Sequence, residues 1–396
     1  MKNLRLAAWA PCAIAIFGCS SAAVDDAGAA GTTGTAGTTG TAGAPAAPVG
    51  TEQVTLVDVY TPKATTPLSA TALAFNPTVN GELWVMLRQF PSGKPCTMDD
   101  DTGCDALVGV AGVVSDATGA TPHGVIKQDG NAWHFMRRPT AIAWGDGLLF
   151  SSCGEGLTDN YEDVAIPYAG PALWSSDPKI FGVKPLPSQN GTHIDMLHET
   201  PYCMGLAHES ANIFWAFNGD VGALDRVDFH MPHEVGGEDH SDGEVHRYIT
   251  GTLKRVPEVP SHVAYDAKRG LVYVADTGHH RVLSVDPSTA TAGGDIQVWE
   301  TLAATGAMDG ATVKELVPPG TLQLPSGLAF ADDVLYVTDN ATSLIHTFDV
   351  SGRAQRTFDT ALPTGSLAGI SVGPDGLMYI ANLQTGSAQR VEVSTP

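Results

Sequence analysis

The sequence predicts an all-β fold, a six-bladed β-propeller closed by an N-terminal strand. Three observations predict it: a sixfold repeat of paired hydrophobic strands, a turn-rich composition with 44 Gly and 26 Pro, and a β-rich segment left over ahead of the first repeat. Long helical periodicity is absent, and aliphatic and β-branched clusters favour strands.

The chain opens with Lys2 and Arg5 followed by an apolar stretch from Leu6 to Phe17, too short to span a bilayer, which is the pattern of an export signal. Ile16, Phe17, Gly18 and Cys19 resemble the lipobox of bacterial lipoproteins, and that resemblance implies processing after residue 18 and lipidation of Cys19. Ser20 directly after it favours an outer-membrane address in a Gram-negative host. Residues 20–50 are almost entirely Ala, Gly, Thr and Ser, with the repeated GTTGTAG. Such a segment buries too little apolar surface to offset its chain entropy and reads as a tether. The predicted organisation is therefore a signal peptide and lipobox over 1–19, a tether over 20–50 and one propeller over 51–396.

Each repeat begins with a small-small-aliphatic-small tetrad: Thr71 to Ala74, Thr140 to Ala143, Met204 to Ala207, Ser261 to Ala264, Ser326 to Ala329 and Ala368 to Ser371. These are the expected innermost strands. A turn rich in Asp, Asn or Gly leads to a second strand, beginning near Glu82, Leu148, Ile213, Leu271, Val334 and Leu377. An aromatic recurs at one register position of it: Trp84, Phe150, Trp215, Tyr273, Tyr336 and Tyr379. Large rings there suit packing of one blade on the next. The last two copies start about 42 residues apart, the length of one four-stranded blade, and the earlier ones about 57 to 69, so the first four blades carry insertions. Too little chain follows the sixth copy to complete a blade, and Gln53 to Tyr60 is predicted to close the ring.

Pro260 to Asp286, PSHVAYDAKRGLVYVADTGHHRVLSVD, resembles an NHL repeat. Leu324 to Asp349 is a second recognisable copy and Leu367 onward a weaker third, whereas the early blades match only in hydrophobic pattern. The resemblance implies the propeller. Propellers of this kind include binding scaffolds, a lyase acting on peptidyl-hydroxyglycine and relatives of calcium-dependent lactonases, so function must be argued from the site.

The formal net charge of -22 argues against nucleic acid and fits an exported acidic surface that can supply carboxylates for calcium. Cys12 lies in the signal and Cys19 takes lipid, which leaves Cys96 to pair with Cys104 and Cys153 with Cys203 in an oxidising compartment. No CxxC pair is present, and a thiolate zinc site is not expected.

Two candidate sites follow. In a propeller, strand ends converge on the axial opening, where Asn218, Asp276, Asp339, Asn340 and Asn382 end the second strands and Glu155 follows Cys153. Such a ring suits calcium, or equally turn hydrogen bonding without a metal. His262 opens an inner strand nearby, but its counterparts in other blades are Ala or Gly, which does not support a three-histidine axial zinc. His123 is expected in an outer hairpin of blade 1, and His279 and His280 are repeat residues, with Arg281 pairing between blades.

The second candidate is the segment from Asp228 to His246, where His230, His233, Asp239, His240 and Asp242 are the candidate ligands among further acidic residues and His246. Imidazoles favour zinc or copper and carboxylates calcium, and either metal binding or a solvated acidic loop explains the composition. It should connect the third and fourth strands of blade 3, on the face opposite the second-strand ends. No GxSxG, HExxH or phosphate-binding glycine loop occurs. The leading expectation is a surface-anchored monomer that binds a small molecule, glycan or protein and meets the membrane only through its lipid. The alternative is a calcium- or zinc-dependent hydrolase, lactonase or lyase acting at the axial cleft.

Overall fold

The computed structural model describes residues 50–64, 67–89, 110–129, 132, 136–158, 166–183 and 191–393. The export signal, Cys19, the tether up to residue 49 and the expected Cys96–Cys104 pair lie outside the described residues.

Alternation of small or aliphatic residues with turn signals produces up-and-down meanders. Blade 1 is β2 (Leu68–Phe75), β3 (Leu83–Gln89), β4 (Val110–Ser115) and β5 (His123–Lys127), and blade 2 is β6 (Pro139–Trp144), β7 (Leu149–Gly154), β8 (Ala172–Ser175) and β9 (His193–Met196). Blade 3 is β10 (Cys203–Ser210), β11 (Ile213–Asn218), β12 (Ala223–Asp228) and β13 (Glu244–Tyr248). Blade 4 is β14 (Val263–Asp266), β15 (Leu271–Asp276), β16 (Arg281–Asp286) and, after an insertion, β19 (Thr312–Val317). The insertion carries β17 (Thr291–Ala292) and β18 (Ala304–Asp309), and β18 adds in parallel to β13 of blade 3. Blade 5 is β20 (Pro325–Ala331), β21 (Val334–Asp339), β22 (Leu344–Asp349) and β23 (Ala354–Asp359).

The last blade is β24 (Leu367–Val372), β25 (Met378–Asn382) and β26 (Ala388–Val393), completed by β1 (Thr51–Tyr60) from the other end of the chain. β1 pairs antiparallel with β26, Val54 opposite Val393, and its first residues also run parallel to β23. The propeller thus closes as the leftover strand predicts. Because that strand is distant in sequence from its partners, closure ties the two ends of the folded chain together.

Among the described residues, six buried apolar clusters separate successive blades, the first joining blade 1 to blade 6 through Leu73, Val85, Tyr379 and Ala381. The recurring aromatics fill them. Trp84 meets Trp144 and Phe150 of blade 2, Tyr273 meets Phe330 of blade 5, and Tyr379 meets Phe75 of blade 1. All are fully buried except Trp144, Phe75, Phe330 and the blade 5 member Tyr336, which are only partly covered. Truncating a fully buried ring to Ala typically costs about 3–5 kcal/mol, so these interblade cores carry much of the stability.

Hydroxyls near the axis add directional contacts between blades. Thr71 donates to the carbonyl of Pro139 at 2.9 Å, Thr140 to that of Cys203 at 2.6 Å, Thr277 to that of Pro325 at 2.5 Å and Thr338 to that of Ala368 at 2.5 Å. The inner strands approach so closely that a Cβ on Gly369 would lie 2.8 Å from the Cα of Ala72. Here the small residue of the repeat is a steric requirement. The disulfide Cys153–Cys203 links blades 2 and 3 at the same level.

Candidate metal centre

His193 begins β9, the outermost strand of blade 2, and Asp195 lies two residues on, on the same face of the strand. The connection between β12 and β13 docks onto that strand: the amide of His233 donates to the carbonyl of Ile194 at 2.9 Å, and that of Gly236 to His193 at 2.8 Å. Gly237 lets the loop turn against the imidazole, since a Cβ there would stand 2.9 Å from Nδ1 of His233. The blade 4 insertion closes the third side. The amides of Trp299 and Glu300 donate to a carboxylate oxygen of Glu199 at 2.6 and 3.1 Å, and the amide of Ala303 donates to Gly243.

These three segments bring together His193, His233 and His240, one ring nitrogen of each within 4.8 Å of the others. Their rings are 5.1 to 6.3 Å apart between centroids. Nδ1 of His233 hydrogen-bonds the carbonyl of Glu234 at 2.6 Å, and Nδ1 of His240 faces the carboxylate of Glu300 at 3.4 Å. In the neutral imidazole each Nδ1 therefore carries the proton, leaving the lone pair on Nε2. Both Nε2 atoms are buried without a hydrogen-bond partner among the described residues. Burial also holds His233 below the ordinary imidazole range, which keeps it neutral.

Glu300 is the outer carboxylate of this arrangement. It accepts from the backbone amide of His198 at 2.6 Å and faces Nδ1 of His198 at 3.1 Å. Burial opposes its ionisation, but the hydrogen bonds from His198 and His240 outweigh it and bring the carboxyl down to about 2. His198 itself is buried and stacks on Tyr168 at 3.9 Å between centroids. Asp195 is pushed up to about 8, by burial first and then by the negative charges of Asp242, Glu300 and Asp239. The neighbourhood is electronegative as well as rich in imidazole, and both properties favour a cation.

Of the loop residues singled out in the sequence, His233 and His240 enter the centre. His230 faces Asp228 at 3.6 Å and Glu244 at 3.3 Å across the base of the hairpin, while Asp239 caps Ser241 and Asp242 accepts from the amide of Met231. His246 sits opposite Arg226 in the ladder of β13 with β12. Sequence reading missed His193, Asp195, His198 and Glu300. The His-x-Asp spacing of β9 was a visible signal, but nothing in the string joins Glu300 to it.

The axial residues are engaged differently. Asp276 accepts from the amide of Lys254 and pairs with His279 and Arg281, and Arg281 also donates to the carbonyl of Thr252 in the preceding connection. Asp339 accepts the amides of Gln323, Leu324, Ala341 and Thr342. Asn218 accepts from Asp220 and Val221 and donates to Asp225, Asn340 donates to Leu367, and Asn382 accepts from Gln384 and Thr385. These polar groups hold the turns and connections at the ends of the second strands. His262 is buried with Nε2 3.0 Å from the carbonyl of Thr140, so the axis there is filled by its ring. His280 contacts the carbonyl of Gln323, and His123 opens the outer strand β5. Glu155 is buried among Arg88, Arg138 and Arg255.

Residues 259–283 match the NHL repeat family, within a chain that folds as a β-propeller. No curated protein matches it. Among solved structures it is similar to an auxiliary nutrient binding protein from Bacteroides ovatus, at 9% identity and a TM-score of 0.49 over 87% of this chain and 78% of that one. It is also similar to virginiamycin B lyase from Staphylococcus aureus, at 10% identity and a TM-score of 0.42 over 86% of this chain and 100% of that one. A luciferin-regenerating enzyme aligns at 12% identity and 0.49 over 86% and 95%. Likenesses this remote assign neither ligand nor activity to this chain.

Proposed function

We propose that this protein is an exported, lipid-anchored propeller that binds a transition-metal ion, zinc or copper, where blades 2 and 3 meet the blade 4 insertion. One observation carries the reading: Nε2 of His233 and of His240 are buried without a hydrogen-bond partner among the described residues, while Nδ1 of each ring is fixed by a carbonyl or a carboxylate. A carboxylate bonded to the far nitrogen of an imidazole is how proteins set the tautomer of a metal ligand. Three imidazoles suit zinc or copper rather than calcium, which takes oxygen donors. An ion about 2.1 Å from each nitrogen draws the three rings inward by about 1 Å, within reach of side-chain rotation.

The test is cobalt(II) titration of the metal-free protein, read by visible absorption, with zinc competition. The expected result is one ion per chain, and at least a hundredfold loss of affinity in His233→Ala and in His240→Ala. Equal binding by those variants and the parent rejects the site. Anchoring through Cys19 is tested separately, by palmitate labelling and membrane fractionation of the parent and Cys19→Ala.

A further inference from the structure

A second cluster lies at the axial opening, away from the histidines. Val256, Pro257, Glu258 and Val259 form a tight turn in which the amide of Val259 donates to the carbonyl of Val256 at 3.2 Å. Proline in its second position and a positive φ in its third are the marks of a type II turn, whose third residue is usually Gly. Here that residue is Glu258, at φ +68°. An L side chain is unfavourable in this conformation and persists only where its surroundings impose it.

The surroundings are three guanidinium groups. Arg88, at the end of β3, is 2.9 Å from a carboxylate oxygen of Glu258 and donates to its carbonyl at 2.7 Å, and Arg138, just before β6, holds the other carboxylate oxygen. Beneath them Glu155 pairs with Arg88 at 3.4 Å, Arg138 at 3.5 Å and Arg255 at 2.8 Å, and both its oxygens accept from the amide of Glu258. The side chains of Arg88 and Glu155 are 4% and 2% exposed, whereas that of Glu258 is 44% exposed. Three positive charges thus face two negative ones. Nε of Arg138 is buried with no partner among the described residues.

We propose that Arg88 and Arg138 form a carboxylate-binding fork at the axial opening, occupied in this structure by Glu258, and that an organic carboxylate ligand displaces it. Glu155 and Arg255 are positioning residues that fix the fork from below. Guanidinium pairs match the planar carboxylate in shape and charge. Glu258 is the outermost member of the cluster and its backbone is strained, so release of its side chain opens the fork without disturbing the buried pairs.

Calorimetric titration with acetate tests this on the full chain. Glu258→Gly, which suits φ +68° and removes the internal carboxylate, is expected to bind acetate at least tenfold more tightly than the parent, and the double variant Arg138→Gln with Glu258→Gly to lose that gain. An acetylated dipeptide with a free C-terminus binding more tightly than acetate, but not when amidated, would identify a peptide end as the ligand; equal binding would identify a small organic acid. Should Glu258→Gly fail to fold, Glu258→Gln carries the same comparison. Acetate binding no tighter than in the parent, or unchanged in the double variant, overturns the proposal and leaves the cluster as an internal ion network.

Discussion

The imidazole of His262 donates through Nε2 to the carbonyl of Thr140 at 3.0 Å, joining blade 4 to blade 2 past the inner strand of blade 3. Its Cε1 also lies 3.0 Å from where a Cβ on Gly369 of blade 6 would stand. One side chain of blade 4 thus binds blade 2 and lies close beside blade 6. His262→Ala removes that bond and leaves a void, with an expected loss of about 2–4 kcal/mol in urea denaturation.

The same residue sets a pH dependence. Burial pushes His262 down to about 4 from an ordinary 6.5. Between those values the unfolded chain takes up a proton that the folded one refuses, so stability falls as the pH is lowered. The contribution is complete above about pH 6.5 and lost by about pH 4, amounting to about 3 kcal/mol. Denaturation midpoints measured at pH 7 and pH 4.5 should converge in His262→Gln relative to the parent. An unchanged difference would place the titrating group elsewhere.

Glu300 should act on the metal centre without being a ligand. Glu300→Gln keeps the shape but weakens the hold on Nδ1 of His240, and losing a carboxylate that orients a metal-binding imidazole lowers metal affinity by about 10- to 100-fold. Cobalt titration of Glu300→Gln beside His233→Ala separates the two roles: partial loss in the first, near-complete loss in the second.

The disulfide Cys153–Cys203 closes a loop of sequence separation 50. Chain-entropy reasoning assigns such a cross-link about 4 kcal/mol, exerted on the unfolded state. The Cys153→Ser, Cys203→Ser double variant should therefore keep the native circular dichroism spectrum while its denaturation midpoint falls.

Closure through β1 is testable at a single glycine. A Cβ on Gly124 of β5 would lie 2.2 Å from Cδ2 of Tyr60, the last residue of β1. Gly124→Ala should displace the ring and destabilise the protein by about 1–3 kcal/mol, read as a lower Tm. Gly294→Ala, where an added Cβ meets nothing within 4 Å, is the control and should leave the Tm unchanged.

What the sequence determined by itself was the repeat and its consequences. Small residues at Thr140, Gly205 and Gly369, rings at Trp84, Tyr273 and Tyr379, and the unpaired run ending at Tyr60 announce the blades and their closure, because alternation along a strand is a local property written in consecutive residues. The pairing of Cys153 with Cys203 was expected from the cysteine count of an exported chain as a tie between neighbouring blades, and the disulfide joins blades 2 and 3.

Only the tertiary structure decided the sites. His233 and His240 stood out as a cluster in the string, but His193 joins them from another blade and Glu300 from an insertion 60 residues further on, beyond any periodic constraint. Loops carry no repeat that fixes where their side chains meet. The same holds at the axis, where Glu155 was visible beside Cys153 but Arg88, Arg138 and Glu258 were not, since guanidinium groups become a fork only when three separate strand ends are folded to one point.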